Sequence, residues 1–230
     1  MAKLDSAYFV FDIESVTDGG LVSRLKYPGE NLSPVAAIAK YREELLAENG
    51  KDFIPYTFQL PVSLVIAKVA KDLSLQDLIS LDEKQSRPHE ITRLFWEGWR
   101  KYQRPRLITF NGRGFDVPFL YLRSAVLNVP ISRKDWLGYR YQIEPHCDLA
   151  EQFSFYGVSG REGAARKFNL DFYCKAFGIE SPKSHGVSGM DVNDLMAQGR
   201  YHEIAEYCLR DVHATVALYK IWLERLAGVK

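Results

Sequence analysis

The chain has 230 residues, with 30 Lys plus Arg against 29 Asp plus Glu and a formal net charge of +1. This balance excludes a strongly basic nucleic-acid coat of the histone kind, so any polyanion must be held by a local patch or by bound metal ions. The length and a hydrophobic fraction of 47% indicate one globular domain that needs no disulfide or metal clip to fold.

The cysteines and the N-terminal residues bear on the cellular location. Cys147, Cys174 and Cys208 are an odd number at wide spacing without a C-x-x-C pair, which argues against a disulfide framework and a structural zinc site. A reducing, cytoplasmic compartment fits best. The N-terminal residues contain neither a signal-peptide core nor a membrane span, so we expect no membrane association.

The first half of the chain predicts strands interrupted by one loosely patterned segment. Residues 7–13 are nearly all apolar and predict a strand buried on both faces and central in a sheet. Residues 17–56 are rich in Gly and Pro around one helix at 35–48, and they predict an insertion after the first strand. Residues 60–69 and 75–81 then resemble a hairpin.

The second half predicts mostly helices. Apolar periodicity indicates a strand at 106–110 and helices at 89–102, 116–127, 163–177, 192–198 and 201–226. Asp116 takes the N-cap position of its helix, and Pro118 lies in the first turn. Early strands and late helices predict a single α/β or α+β domain, a sheet covered by helices.

Two carboxylates lie at the end of the first strand. Asp12 and Glu14 are two residues apart and therefore project from the same face, where like charges need a counter-charge. The plain alternative is a strand that has reached the surface, since Asp-x-Glu arises by chance about once in such a chain. For Asp116, helix capping is the corresponding alternative, since Asp is among the best N-caps.

The last helix places a carboxylate among apolar side chains. Asp211 lies within the apolar stripe formed by Ile204, Tyr207, Cys208, Thr215, Leu218, Tyr219 and Trp222. A carboxylate there is costly unless it is paired or bound to metal, and Tyr207 at i−4 projects over the same neighbourhood. The alternative is an ordinary hydrogen bond at the edge of the stripe.

Together the four carboxylates suggest a metal site with oxygen ligands only. Such ligands favour Mg²⁺ or Mn²⁺, and two ions about 4 Å apart could activate a water and stabilise the leaving oxygen of a phosphodiester. Without metal the clustered carboxylates would repel one another.

Three motifs follow one another along the chain: Phe9-Val-Phe-Asp12-Ile-Glu14, Thr109-Phe-Asn111-Gly-Arg-Gly-Phe115-Asp116 and Tyr207-Cys-Leu-Arg-Asp211. In sequence and order they resemble the motifs of the DEDD exonucleases of the tyrosine subgroup. With His146-Cys-Asp148-Leu, they resemble the predicted 3′-5′ exonucleases related to the proofreading domain of family-B DNA polymerases. The resemblance implies a ribonuclease-H-like fold, with a mixed central sheet flanked by helices.

The same resemblance implies roles for single residues. A first Mg²⁺ or Mn²⁺ ion would be held by Asp12, Glu14 and Asp211. A second ion would be held by Asp12 and, mostly through water, by Asp116. Tyr207 would orient the attacking water. The histidine subgroup carries a His five positions before the last Asp, where this chain has Glu206. No catalytic task follows for Asp148, whose default role is capping or positioning a neighbour.

Three further residues resemble substrate-binding positions of the family. Asn111 and Phe115 would line the terminal-nucleotide pocket, with a loop and core pair as the equal alternative. Lys183 stands roughly where these domains carry a phosphate-contacting lysine, although a solvated surface lysine is the plainer interpretation.

The resulting hypothesis is a two-metal 3′-5′ exonuclease that releases nucleoside 5′-monophosphates from single-stranded DNA. The rivals are an RNA exonuclease using the same site, because nothing in the motifs reads the 2′-hydroxyl, and a non-catalytic nucleic-acid-binding module of the same fold. A polymerase or repair partner in trans is also considered. The sequence contains neither the histidine motifs of a zinc hydrolase nor the glycine-rich motifs of a dinucleotide-binding or P-loop enzyme, which disfavours both classes.

Overall fold

A five-stranded mixed sheet forms the centre of the computed structural model, which describes residues 6–131, 139, 141–157, 168–185 and 191–228. Its strand order is β3-β2-β1-β4-β5; β1 runs antiparallel to β2 and parallel to β4, and β5 runs parallel to β4. The strands are β1 (Tyr8–Thr17), β2 (Gln59–Val69), β3 (Leu75–Ser80), β4 (Arg106–Thr109) and β5 (His146–Asp148). This arrangement confirms the predicted central position of the first strand and the β2–β3 hairpin.

Helices cover both faces of the sheet. Those in the described residues are α1 (Gly19–Lys26), α2 (Pro34–Asn49), α3 (Pro88–Lys101), α4 (Asp116–Val126), α5 (Leu149–Phe153), α6 (Leu170–Phe177), α7 (Val192–Ala197) and α8 (Tyr201–Arg225). Within this part of the chain no helix combines the length and the apolar character needed to cross a bilayer.

Alternation along β1 divides the core into two layers. Phe9, Phe11 and Ile13 pack on one side with residues of α3 and α4. Val10 faces the other side, where residues of α5, α6 and α8 cover the sheet. Because side chains alternate in a strand, Asp12 and Glu14 share the side of Val10 and therefore face α8.

Residues 17–58 form a helical pair with its own small apolar cluster. The sequence predicted one helix here, whereas the structure contains both α1 and α2. A Cβ on Gly19 would lie 2.4 Å from the Pro34 carbonyl oxygen, so glycine permits the close approach of the two helices. The cluster consists of Val22, Tyr27, Ala37, Tyr41 and Ile54.

Several predicted boundaries differ from the structure. Asp116 is the first residue of α4 rather than its N-cap; Phe115 takes the cap position, and no side chain caps this helix. The helix predicted over 163–177 begins at Leu170, where Asn169 accepts the backbone N–H of Phe172 and so caps α6, and residues 163–167 lie outside the described part. The sequence did not predict β5 and α5, because three and five residues are too short to show periodicity.

The pairing of β1 with β2 contains a β-bulge. Glu14 pairs with Ser63, but the next residue, Ser15, pairs with Pro61, so Val62 is an extra residue on β2. Bulges of this kind redirect a side chain without ending the sheet. Val62 is buried in a small cluster with Tyr207 and Ile204 of α8.

Candidate active site

Two carboxylates of the site come from the central strand. Asp12 and Glu14 lie in the middle of β1, which continues to Thr17 beyond the predicted end of the strand; both are half-buried and on the face covered by α8. Asp12 is paired across to Val65 of β2, and the bulge follows directly after Glu14. The sheet therefore fixes both side chains in register before the strand pairing becomes irregular.

Helix α8 lies against this strand and carries the other half of the site. The Cys208 thiol donates to the Asp12 carbonyl oxygen at 3.3 Å and lies 3.9 Å from Oδ2 of Asp12. Tyr207 is buried, and Asp211, one turn later, is half-buried. Tyr207 interacts through its side chain with the Asp211 carboxylate. The i, i+4 spacing thus brings both groups to one place, as predicted.

Asp116 reaches the site from the start of α4. Its side chain is only 4% exposed, and its carboxylate interacts with the backbone N–H of Ile13. Its Oδ1 atom is buried and has no hydrogen-bond partner among the described residues. Because it does not cap the helix, this carboxylate is available for a ligand, which removes the capping alternative.

The four carboxylates act on one another electrostatically. Burial raises the pKa of Asp12 well above its ordinary value, and the charges of Asp116, Asp211 and Glu14 raise it further. The pKa of Glu14 is raised by burial and then by Asp211 and Asp116. A structure that brings like charges together in this way favours their protonation or the binding of a cation.

The pKa values of the other acidic groups show the same effect. Burial raises the pKa of Asp116 to about 7 and that of Asp211 to about 6. For Asp211, Tyr207 and then the positive charges of Arg210 and Lys183 oppose this rise. Burial, followed by the charge of Asp211, raises the pKa of the Tyr207 phenol, so it stays protonated at neutral pH.

The donor set fits a divalent cation. Carboxylate oxygens of Asp12 and Glu14 and the Cys208 sulfur lie within 4.8 Å of one another. The buried, unpartnered Oδ1 of Asp116 is a further oxygen donor. Oxygen ligands suit Mg²⁺ and Mn²⁺, and the thiol of Cys208, whose pKa is raised by burial and by Asp12, stays protonated and is a poor ligand.

Two of the three predicted substrate residues, Asn111 and Phe115, belong to the loop before α4, and Lys183 lies in a short turn that contacts α8. Asn111 is exposed and adopts the left-handed conformation at φ 66° in the loop before α4. Phe115 is half-buried and stacks on Phe119 with ring centroids 5.3 Å apart, so its ring also packs in the core. Lys183 is exposed, and its positive charge acts on Asp211.

For the residues that hold the loop before α4, the sequence indicated only a default role for Asp148, capping or positioning a neighbour, and no contact of Thr109 or His146 with this loop. Asp148, at the end of β5, accepts backbone N–H groups of this loop, and Thr109 and His146 form a second contact to it. The signal for Asp148 was the His146-Cys-Asp148-Leu segment, which resembles the family but indicates no particular hydrogen-bond partner. Asp148 does cap α5 through the N–H of Ala150.

Known proteins similar to this chain are DNA polymerases. It is 31% identical over 159 residues to DNA polymerase 1 of Sulfolobus acidocaldarius, covering 65% of this chain and 17% of the relative. The corresponding protein of Saccharolobus solfataricus is 28% identical over 143 residues, covering 59% and 15%. The chain thus spans only about a sixth of the length of these relatives.

A solved structure shows the same fold. The family B DNA polymerase of the hyperthermophilic archaeon Pyrobaculum calidifontis matches with a TM-score of 0.58 and 18% identity, covering 94% of this chain and 24% of that chain. Together with the strand order, this match confirms the ribonuclease-H-like α/β fold that the sequence motifs implied.

A protein-family model matches residues 51–227 and is described as a predicted 3′-5′ exonuclease related to the exonuclease domain of PolB. The matched residues include Asp116, Tyr207 and Asp211, while Asp12 and Glu14 precede them. The match extends over most of the chain. The chain therefore belongs to the family of predicted 3′-5′ exonucleases related to the exonuclease domain of family-B DNA polymerases.

Proposed function

We propose that this chain is a two-metal-dependent 3′-5′ exonuclease of the tyrosine subgroup that releases nucleoside 5′-monophosphates from 3′ ends of single-stranded DNA. The observation that carries the proposal is the convergence of four carboxylates and a tyrosine from β1, α4 and α8. We also propose that residues 1–230 act as one domain, with residues 17–56 as an insertion.

The carboxylates would hold the two ions. Asp12, Glu14 and Asp211 are proposed for the first ion, and Asp12 with Asp116, mostly through water, for the second. When bound, Mg²⁺ or Mn²⁺ would supply a nucleophile at neutral pH and neutralise charge on the leaving oxygen. The raised pKa values of all four acids support this assignment, because a divalent cation relieves the repulsion that causes part of the rise.

Residues of the chain would orient the reacting groups. The protonated Tyr207 hydroxyl is suited to donate a hydrogen bond to the attacking water, since the pKa of this phenol is raised and its ring is held in the core beside Val62. Asn111 and Phe115 would hold the terminal nucleotide through a polar contact and an aromatic face. Lys183 would offer its charge to the phosphate.

Similarity to DNA polymerases supports DNA over RNA as the substrate, and it supports a polymerase or repair protein as a partner in trans. An RNA exonuclease or a non-catalytic binding module of the same fold would be alternative outcomes of the test below. For a binding module, however, the intact set of four carboxylates and Tyr207 would have no use.

The test is a time course on a 5′-labelled single-stranded DNA oligonucleotide with Mn²⁺, with and without EDTA. The proposal predicts a ladder that shortens from the 3′ end, is abolished by EDTA and is reduced at least about 100-fold in Asp211→Asn. Asp72→Asn is the matched control, because Asp72 is exposed and lies in the β2–β3 turn, beyond the other end of β1.

The other possible outcomes of this assay distinguish the alternative functions. Degradation of labelled RNA but not DNA would reassign the substrate. Intact DNA and RNA despite tight binding would favour the binding module. Equal activity of the native chain and Asp211→Asn would show that the nuclease activity comes from a contaminant or from another site.

A further inference from the structure

A fifth carboxylate, that of the buried Asp148, lies beside the proposed active site. Asp148 is the last residue of β5, is 2% exposed and pairs in register with Thr109, the last residue of β4. Its charge contributes to the raised pKa of Asp116. A carboxylate in this position needs either a metal or several hydrogen-bond donors.

Both oxygens of Asp148 accept backbone hydrogen bonds. Oδ1 accepts from the N–H of Asn111 at 2.8 Å and from the N–H of Ala150 at 2.9 Å, and Oδ2 accepts from the N–H of Arg113 at 3.0 Å. Bonds of this type to an ionised acceptor are stronger than those between neutral groups. One side chain therefore ties the start of α5 to two positions of the loop before α4.

The neighbouring strand end holds the same loop from a second side. The hydroxyl of Thr109 accepts from the N–H of Gly112 at 3.1 Å and lies 2.8 Å from Nε2 of His146. Burial lowers the pKa of His146 to about 3, so its imidazole is neutral. A Cβ on Gly112 would lie 2.3 Å from Oγ1 of Thr109, which shows how closely the loop lies against β4.

The loop held in this way carries the proposed substrate residues. It places Asn111 in the left-handed conformation and leads through Phe115 into Asp116, the first residue of α4. Displacing the N–H groups of Asn111 and Arg113 would displace the side chain of Asn111 as well, because its own backbone is one of the two attachment points.

We propose that Asp148 is a positioning residue for the terminal-nucleotide pocket, acting by fixing the backbone at Asn111 and Arg113, and that it does not hold metal. This inference rests on the proposed exonuclease function. It predicts that loss of the Asp148 carboxylate weakens the binding of the 3′-terminal nucleotide, while the metal requirement and the chemical step are preserved.

The first test compares the native chain with Asp148→Asn in steady-state assays on single-stranded DNA. Asn caps helices about as well as Asp, and its carbonyl oxygen can replace Oδ1, so α5 stays capped. Its amide nitrogen cannot accept the N–H of Arg113. We expect KM to rise about tenfold, kcat to change less than about threefold, and the Mn²⁺ concentration for half-maximal rate to stay unchanged.

A second variant isolates the pocket. Asn111→Gly removes the side chain while keeping both the backbone N–H and the left-handed conformation, which glycine adopts freely. If Asp148 acts through Asn111, adding Asp148→Asn to this variant raises KM less than it does in the native chain. Additive increases would overturn the proposed route, because independent residues give additive effects.

A third readout is independent of turnover. Amide hydrogen exchange is measured at Asn111 and Arg113, with the melting temperature as the control for global stability. Faster exchange at the Arg113 amide in Asp148→Asn, with a smaller increase at Asn111 and no comparable change at β1, supports the proposal. Unchanged exchange overturns it.

The remaining outcomes separate this inference from the proposed function. A fall in kcat with a shifted Mn²⁺ requirement would identify Asp148 as a metal ligand. An unchanged KM with a lower melting temperature would overturn the positioning role and leave Asp148 with a contribution to stability alone. An inactive native chain would overturn the exonuclease proposal itself, whereas an active native chain with no effect of Asp148→Asn overturns the positioning role alone.

Discussion

The two faces of β1 differ in composition although they belong to one strand. On the face toward α3 and α4, Phe9, Phe11 and Ile13 are apolar and at most 4% exposed. On the face toward α8, the apolar Val10 is followed by Asp12 and Glu14. Since alternate side chains point to opposite faces, the strand stabilises the domain with one face and forms the proposed active site with the other.

This separation matters because clustered carboxylates oppose folding. Burial and mutual repulsion raise the pKa values of Asp12 and Glu14, which means that their ionised forms are destabilised in the folded protein. The apolar face can offset this cost without contacting substrate. We therefore expect substitutions on the apolar face to lower mainly stability and substitutions on the carboxylate face to lower mainly activity.

The largest effect is expected for Asp12→Asn. This residue is proposed for both metal ions, so we expect nuclease activity to fall at least about 1000-fold. Removal of one of four like charges should leave the melting temperature of the metal-free protein unchanged or higher. Single-turnover assays and thermal unfolding measure the two effects. An active Asp12→Asn variant would contradict the site assignment.

Phe11→Ala tests the opposite face. Phe11 is 1% exposed and packs against Phe95 with ring centroids 5.1 Å apart. We expect a loss of about 3–5 kcal/mol in the free energy of unfolding. Activity per folded molecule should change far less than in Asp12→Asn. Urea titration gives the stability, and a loss of activity larger than the unfolded fraction explains would show that the faces are not independent.

Tyr207→Phe should give an intermediate effect on activity. The ring and its packing beside Val62 are retained, and only the hydroxyl proposed to orient the water is removed. We expect kcat to fall about 10- to 100-fold, with little change in oligonucleotide binding measured by fluorescence anisotropy. An unchanged kcat would exclude this role for the hydroxyl.

The smallest effect is expected when the pH is changed in the absence of metal and the melting temperature is measured. The folded-state pKa values of Asp116 and Asp211, about 7 and about 6, lie above the ordinary value of 3.8. Between pH 4 and 7 the folded protein therefore binds more protons than the unfolded chain, and this contribution to stability is present at low pH and lost as pH rises. In EDTA the melting temperature should fall by a few degrees from pH 5 to pH 7.5.

Two controls accompany this measurement. Mn²⁺ should remove most of the decrease, because it compensates the carboxylates once they are ionised. Asp211→Asn should give a shallower decrease in EDTA, since one of the titrating groups is absent. If the melting temperature rises with pH in EDTA as much as it does with Mn²⁺, the proposed repulsion between the ionised carboxylates is contradicted.

The sequence predicted most of the fold, because long periodic elements dominate it. β2, α3 and α8 begin and end within about one residue of their predicted limits. Helix α1 was missed because Gly19 and Gly20 indicate a loop, while the need for glycine arises from the contact with Pro34, which no local pattern records. Asn169 caps α6 later than apolar periodicity suggested, since periodicity does not mark the first residue of a helix.

The residues of the proposed site that belong to recognisable sequence motifs could be predicted. The carboxylates of β1, α4 and α8 were identified from spacing and resemblance, and the structure brings them together. For Asp148 the sequence indicated capping or positioning a neighbour, but not which neighbour, because its hydrogen bonds depend on the pairing of two short strands, β4 and β5, that are distant in sequence. Contacts of that kind follow from the three-dimensional register alone.

The extra residue on β2 has a consequence for how this sheet can change in length. Val62 is inserted opposite the junction of Glu14 and Ser15, and its side chain supports the ring of Tyr207. Deleting it would restore regular pairing, with residues 59–61 still opposite residues 15–17, and would remove that support. A shorter, more regular β2 would keep the sheet paired but leave the ring of Tyr207 with less support, so the irregularity serves the proposed activity more than the strand pairing.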